Sequence, residues 1–199
     1  MMKIVVFGAD GKAGSAAVTE AKSRGHQVTS LDRPETDVTD PAVVASAAAG
    51  HDVAIMTAAD PTADPAVFFR SAAESLVTGL TEAGVRRLVW MSLAALLPDA
   101  DGVRLMDLDG FPAEFQPFSL AHRAALEIVR GSGLDWVAVS PSGNFDVVGE
   151  PVGAYQIKPG DLTASITYPD LARALIDEAE RDQFRRMHIG VTGRPADES

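Results

Sequence analysis

Short β-prone apolar runs alternate with helix-length segments along the chain, and this alternation is the tightest constraint on its fold. After Lys3, Ile4-Val5-Val6-Phe7 is continuously apolar, as a strand buried on both faces requires. An Ala-rich helical segment then runs to Arg24, with Gly25 as its stop. Gln27–Leu31 reads as a second strand. Asp40-Pro41 supplies an N-cap followed by proline at the first helical position, opening a helix toward Ala49. Val53–Met56 and Arg87–Met91 are further strands, separated by a long helix, Pro65–Ala83, that Gly84 ends. A helix over residues 119–130, a strand over 134–139, a helix over 169–181 and a strand over 187–191 complete the pattern. Strands joined through helices of this length need right-handed crossovers, which predicts an α/β domain with a mostly parallel sheet.

Two stretches break the rhythm, 93–117 and 141–165. Irregular stretches this long inside one domain are commonly binding loops, and both are expected on the substrate side. The first carries Asp99, Asp101, Asp107, Asp109 and Glu114, with Leu105, Met106, Phe111, Phe115 and Phe118 available to line an inner face. Its acidic residues lack the ligand spacing and terminal Glu of a calcium loop. The residues from Thr192 to Ser199 read as a polar, frayed tail.

Composition removes several classes. The 199 residues hold 28 acidic and 17 basic side chains, a net charge of −11, which speaks against nucleic-acid binding because phosphate recognition needs clustered Lys and Arg. With no cysteine there is no disulfide scaffold, thiolate metal site or cysteine nucleophile. His26, His51, His122 and His188 lie too far apart for a zinc spacing, so no metal is expected. No run of about 18 apolar residues or secretory leader is visible, so a cytoplasmic protein without a membrane segment is expected. Oligomeric state cannot be read from the sequence.

The strongest chemical signal is Gly8-x-x-Gly11-x-x-Gly14, set between the first strand and the first helix. Glycines there let the backbone turn sharply and let a pyrophosphate approach bare amides at a helix N-terminus, which points to a dinucleotide. Asp32, at the end of the second strand, is placed to accept hydrogen bonds from ribose hydroxyls and to repel a 2′-phosphate, favouring NAD. Arg33 beside it offers the opposite, a clamp for a 2′-phosphate or a plane to stack on adenine, or simply a solvated charge. The cofactor is therefore NADP or NAD.

The glycine pattern, Thr57-Ala58-Ala59 after the third strand, Gly133-Leu134-Asp135-Trp136 leading to Pro141, and Asp170-Leu171-Ala172 together carry a resemblance over nearly the whole chain. The chain resembles the atypical short-chain dehydrogenases/reductases, in particular their NAD(P)H-binding, NmrA-like and flavin-reductase-like members. That implies a Rossmann-type, doubly wound sheet in a single domain, residues 1–199. It implies Gly8, Asp10, Gly11, Lys12, Ala13 and Gly14 around the pyrophosphate, and Thr57, Ala58 and Ala59 against the ribose and nicotinamide. Residues 31–40 look like the short ribose loop of dTDP-4-dehydrorhamnose reductases, which implies Asp37 and Val38 near adenine. Pro141, Ser142, Gly143 and Asn144 fall where such proteins build the pocket for a small-molecule substrate.

The departure from the family lies at its proton relay. In place of the usual Tyr-x-x-x-Lys pair the chain reads Phe118-Ser119-Leu120-Ala121-His122, and Phe118 has no proton to give. Ser92, at the end of the fourth strand, matches the family's usual Ser/Thr. His122 is expected either to exchange a proton near neutral pH or to orient the ribose as the lysine does. Tyr155 and Tyr168 read as lying away from the site. The expectation is an NAD(P)H-dependent oxidoreductase that passes hydride to a flavin- or quinone-like aromatic, or to a carbonyl. A non-catalytic NmrA-like sensor of NAD(P) redox state and an NAD(P)-dependent epimerase or isomerase are the alternatives.

Overall fold

In the computed structural model, seven strands form one sheet in the order β2-β1-β3-β4-β5-β7-β6. They are β1 (Lys3–Phe7), β2 (Gln27–Leu31), β3 (Val53–Met56), β4 (Arg87–Met91), β5 (Asp135–Pro141), β6 (Tyr155–Ile157) and β7 (Met187–Gly193). Residues 1–34, 36–145 and 150–193 are described. Every pairing is parallel except that of β6, which runs antiparallel to β7 along the edge. Alternate residues of each strand face opposite sides, so the sheet carries two cores. Val5, Phe7, Ala54, Met56, Leu88 and Trp90 pack with α2 (Pro41–Ala48), α3 (Pro65–Ala83) and α4 (Gln116–Gly131). Ile4, Val6, Val53, Ile55, Val89 and Val137 pack with α1 (Lys12–Ser23) and α5 (Tyr168–Arg181) on the other side. Helices on both faces of a largely parallel sheet make this the doubly wound architecture the alternation predicts.

The caps explain why the helices start where they do. Asp40 and Asp64 each accept hydrogen bonds from two backbone amides at the heads of α2 and α3, and proline follows each in the first turn. Thr167 caps α5, and the buried carboxylate of Asp170 returns to the Thr167 hydroxyl while also holding the amides of Val152 and Gly153. One residue thus fixes both a helix end and a neighbouring loop.

Four local expectations need correction. β6 lies inside the stretch read as irregular, because three residues at a sheet edge are too few to show a pattern of alternation. α4 starts at Gln116 rather than 119: Pro117 is accepted in the first turn, where its missing N–H costs nothing, and Ser119 lies buried within the helix. β5 runs on to Pro141. β7 continues through Thr192, whose hydroxyl donates to the Ser165 carbonyl, so fraying does not begin there. Residues 194–199 of the expected tail lie outside the described residues, as do 146–149 of the second substrate-side loop.

Charged clusters away from the site are structural. At the opposite end of the sheet from the glycine turn, Arg87 is 7% exposed and pairs with Glu178 at 3.0 Å and Asp182 at 2.9 Å. Among the described residues no helix is long and apolar enough to cross a membrane, and no cluster of His, Asp and Glu could hold a metal ion.

Candidate functional site

Strand order turns outward in two directions from the β1/β3 pair, and that leaves a crevice beyond their carboxyl ends. The glycine turn fills it. Gly8 sits at φ +84°, and a Cβ there would meet the Ala58 backbone nitrogen at 2.4 Å. A Cβ on Gly14 would lie 2.0 Å from the Gly8 carbonyl oxygen. Both glycines are demanded by the chain itself. Gly14→Ala is therefore expected to cost about 3 kcal/mol of stability, read from urea unfolding; an unchanged midpoint would refute the packing argument.

Gly11 is different. Its φ of −68° and ψ of 159° are open to any residue, and its nearest foreign atom to a Cβ is the Gly8 oxygen at 3.4 Å. As N-cap of α1 it provides no side-chain hydrogen bond to the helix amides. An uncapped helix N-terminus beside a glycine that the fold does not require fits a ligand phosphate.

Beside this turn, Leu31, Asp32, Arg33, Thr36, Val38, Ala58, Ala59 and Phe68 frame a notch of about 20 Å³, narrow enough for the edge of a planar ring. Asp32 accepts the Asp10 amide at 2.8 Å and the Arg33 amide at 2.8 Å, so Asp10 enters the site through its backbone and Asp32 braces the turn. Arg33 is held by Asp60 at 2.6 Å, with its guanidinium 5.6 Å from the Phe68 ring centroid. Asp60 is held down to about 2 by hydrogen bonds from Thr62 and by Arg33, so it stays ionised. Val38 lines the notch but Asp37 does not: its carboxylate takes the Thr39 amide and hydroxyl in a local turn, which lowers its pKa.

On the other side of the turn a cleft of about 260 Å³ opens between Gly11-Lys12-Ala13, Thr57-Ala58-Ala59, Met91-Ser92-Leu93 and the rings of Phe69, Phe118, His122, Phe145 and Tyr168. Thr57 donates from its hydroxyl to the Phe7 and Gly8 carbonyls and so locks β3 to the turn. Two polar atoms in these walls have no hydrogen-bond partner among the described residues: Ser92 Oγ, on a side chain 1% exposed, and His122 Nδ1. His122 lies 3.8 Å from the Phe69 ring centroid and 4.9 Å from that of Phe118. Burial pushes its pKa from 6.5 to about 3. It is neither a surface histidine nor one that titrates near neutrality, which corrects the expectation of a proton carrier working at pH 6–7.

A second, larger cavity of about 550 Å³ shares Leu93, Phe118 and Phe145 with the cleft and continues between Phe111, Phe115, Leu162, Gly143 and Asn144. Of the four residues expected at the substrate, Gly143 and Asn144 line it. Pro141 ends β5, and Ser142 is fully buried with its hydroxyl on the Lys158 carbonyl, so these two support the wall from behind. Of the expected apolar lining, Met106 turns into the core and Leu105 away from this cavity.

Sequence reasoning missed Phe69, Met91, Phe145 and Tyr168. Tyr168 was expected to lie away from the site, yet the first turn of α5 brings it to the cleft, edge-on to Phe145 and 5.8 Å from Lys12 Nζ across its ring. No local signal marks these residues; only strand order brings α3 and α5 to one crevice.

Comparison with known proteins agrees with this geometry. A family model described as NAD(P)H-binding matches residues 8–182. The uncharacterized Bacillus subtilis protein YwnB is 31% identical over 211 aligned positions, covering 96% of this chain and 98% of that one. A solved structure from Burkholderia pseudomallei, provisionally described as an exported protein, is 33% identical with a TM-score of 0.84 over 96% of this chain and 100% of that one. A Streptococcus pneumoniae structure, provisionally an NADH-flavin reductase, is 29% identical with a TM-score of 0.85 over 98% and 100%. One from Bacteroides thetaiotaomicron, provisionally an epimerase, is 27% identical with a TM-score of 0.83 over 98% of each chain.

Proposed function

Because the chain belongs to the NAD(P)H-binding family, we propose that it is a reductase that passes hydride from NADH or NADPH to a flat aromatic acceptor of the flavin or quinone kind. The observation that carries this reading is the apolar, phenylalanine-walled cavity of about 550 Å³ that shares Leu93, Phe118 and Phe145 with the cleft. Its size suits one small ligand, and aromatic walls bind planar rings face or edge on. The likeness to the provisional flavin reductase supports the same acceptor class.

The residues fit a dinucleotide along the whole crevice. Gly11, Lys12 and Ala13 would meet the pyrophosphate, Val38 and Arg33 the adenosine end, and Thr57, Ala58 and Ala59 the nicotinamide ribose. The bound nicotinamide would supply hydride. Ser92 Oγ, buried without a partner, would donate a hydrogen bond to an acceptor oxygen, and neutral His122 would accept one from a ribose hydroxyl at Nδ1. Neither Phe118 nor neutral His122 delivers a proton at neutral pH. A flavin or quinone tolerates this, since solvent can protonate the reduced ring, whereas carbonyl reduction calls for an acid at the carbonyl oxygen and epimerisation by proton transfer for an acid–base group at the stereocentre. A cytoplasmic setting, where the reduced cofactor is held, belongs to the same proposal.

The test is a steady-state screen for NADH and NADPH oxidation with riboflavin, menadione and an aldehyde, alongside calorimetric titration of both dinucleotides. Turnover of the aromatic acceptors with little aldehyde reduction is expected. Tight cofactor binding with no acceptor reduced would replace this reading with that of an NAD(P)-state sensor.

Two substitutions probe the roles. Ser92→Ala is expected to slow kcat/KM by about tenfold through the lost hydrogen bond, yet to stabilise the fold by about 1 kcal/mol by removing a buried hydroxyl without a partner. Equal rates would remove Ser92 from the site. Arg33→Ala is expected to weaken NADPH by roughly tenfold or more relative to NADH, as loss of a charge-assisted phosphate contact would. An unchanged NADH/NADPH ratio would place 2′-phosphate recognition elsewhere.

A further inference from the structure

The apolar cavity does not end at its phenylalanines. Leu162 also lines a neighbouring pocket of about 410 Å³, whose walls include Asp99, Asp101 and Asp161 and, among the described residues, a single cation, Lys158. Hydrogen bonds from the Thr163 hydroxyl and amide hold Asp161 below the usual carboxylate range, so it stays ionised at neutral pH. Among the described residues, the apolar cavity itself is lined by no charged side chain. A ring bound there with its tail past Leu162 would therefore meet uncharged walls first and a net negative chamber second.

We propose that the acceptor is an uncharged flavin with a polyhydroxyl tail, of the riboflavin type, and that the site discriminates against its phosphate ester. The inference rests on the reductase reading above and narrows its substrate class. Tail hydroxyls are hydrogen-bond donors and satisfy carboxylates, while a phosphate monoester brings about −1.5 to −2 charges to the same chamber. An isoprenoid quinone tail brings no hydrogen-bond donor and would displace water from those carboxylates, which disfavours it. In the reaction, hydride adds to flavin N5 and a solvent proton to N1, so NAD(P)H and flavin become NAD(P)+ and dihydroflavin, with no residue-borne proton consumed.

Binding is read first, by quenching of flavin fluorescence with the whole protein, with and without NAD+ or NADP+. Riboflavin is expected to bind at least about tenfold more tightly than FMN at low salt, the gap narrowing as salt screens the repulsion. The kcat/KM values should follow the same order. Asp101→Lys, at an exposed position, should close much of the gap by strengthening FMN. FMN binding as tightly as riboflavin, or a gap indifferent to both salt and Asp101→Lys, would overturn the proposal. Reduction of menadione with neither flavin bound would overturn it and leave the reductase reading standing. Failure to reduce any of the three would overturn both.

Discussion

Gly11→Val is expected to raise the dissociation constant for NADH and NADPH by more than about a hundredfold while the sheet stays folded, since two charge-assisted amide–phosphate bonds are worth about 3–6 kcal/mol together. The contrast with its neighbours makes this diagnostic. At Gly8 and Gly14 an added Cβ collides with backbone, but at Gly11 the backbone is extended and a Cβ meets nothing closer than the Gly8 oxygen at 3.4 Å. The structural cost there is confined to a poorer helix cap, about 1 kcal/mol. Calorimetric titration beside urea unfolding separates the two effects. A folded variant that binds dinucleotide as tightly as the parent would show that the turn is structural only.

Acidification should destabilise the protein well above the carboxylate range. His122 is neutral when folded to about pH 3, whereas in the unfolded chain it protonates near 6.5. Below pH 6.5 the unfolded state therefore takes up a proton that the folded state refuses, so stability is greatest above 6.5 and falls as pH drops toward 3. At pH 5 this one residue accounts for about 2 kcal/mol. His188, lowered to about 4 by burial, acts in the same direction. Urea unfolding of the parent and His122→Leu at pH 7 and pH 5 checks it: the variant should lose about 2 kcal/mol less than the parent over that interval. Equal losses would mean that His122 protonates in place. The same burial implies that the rate has no inflection from His122 near neutral pH. It also implies that His122→Lys, the apparent way to rebuild the missing pair, would press an ammonium against Phe69 and Phe118 rather than restore a relay.

The glycine turn of the candidate site was legible in the sequence because its geometry is local. A sharp turn, a close backbone approach and a helix N-terminus all fall within Gly8 to Gly14, where spacing alone fixes geometry. Asp40-Pro41 and the apolar runs from Ile4 to Met91 fixed element ends for the same reason. Asp37 lies off the notch because an aspartate followed two residues later by threonine closes on its own neighbours, and sequence does not say which partner a carboxylate prefers. The substrate half was much less legible, since its walls come from the end of β4, from α3 and α4, and from the segments around Leu93, Phe111, Phe145 and Tyr168.

What the sequence determined by itself was thus the period of burial, the caps and the glycine turn, each set by interactions within a few residues. The tertiary structure alone decided what faces the crevice. Tyr168 reaches the cleft because α5 packs beside α1, and Ser142 is lost to the wall because β7 lies against β5. His122 is neutral because Phe69, from another helix, lies across it and removes its water. Protonation state and cavity shape depend on which surfaces are withdrawn from solvent together, and strand order, not spacing along the chain, makes that choice.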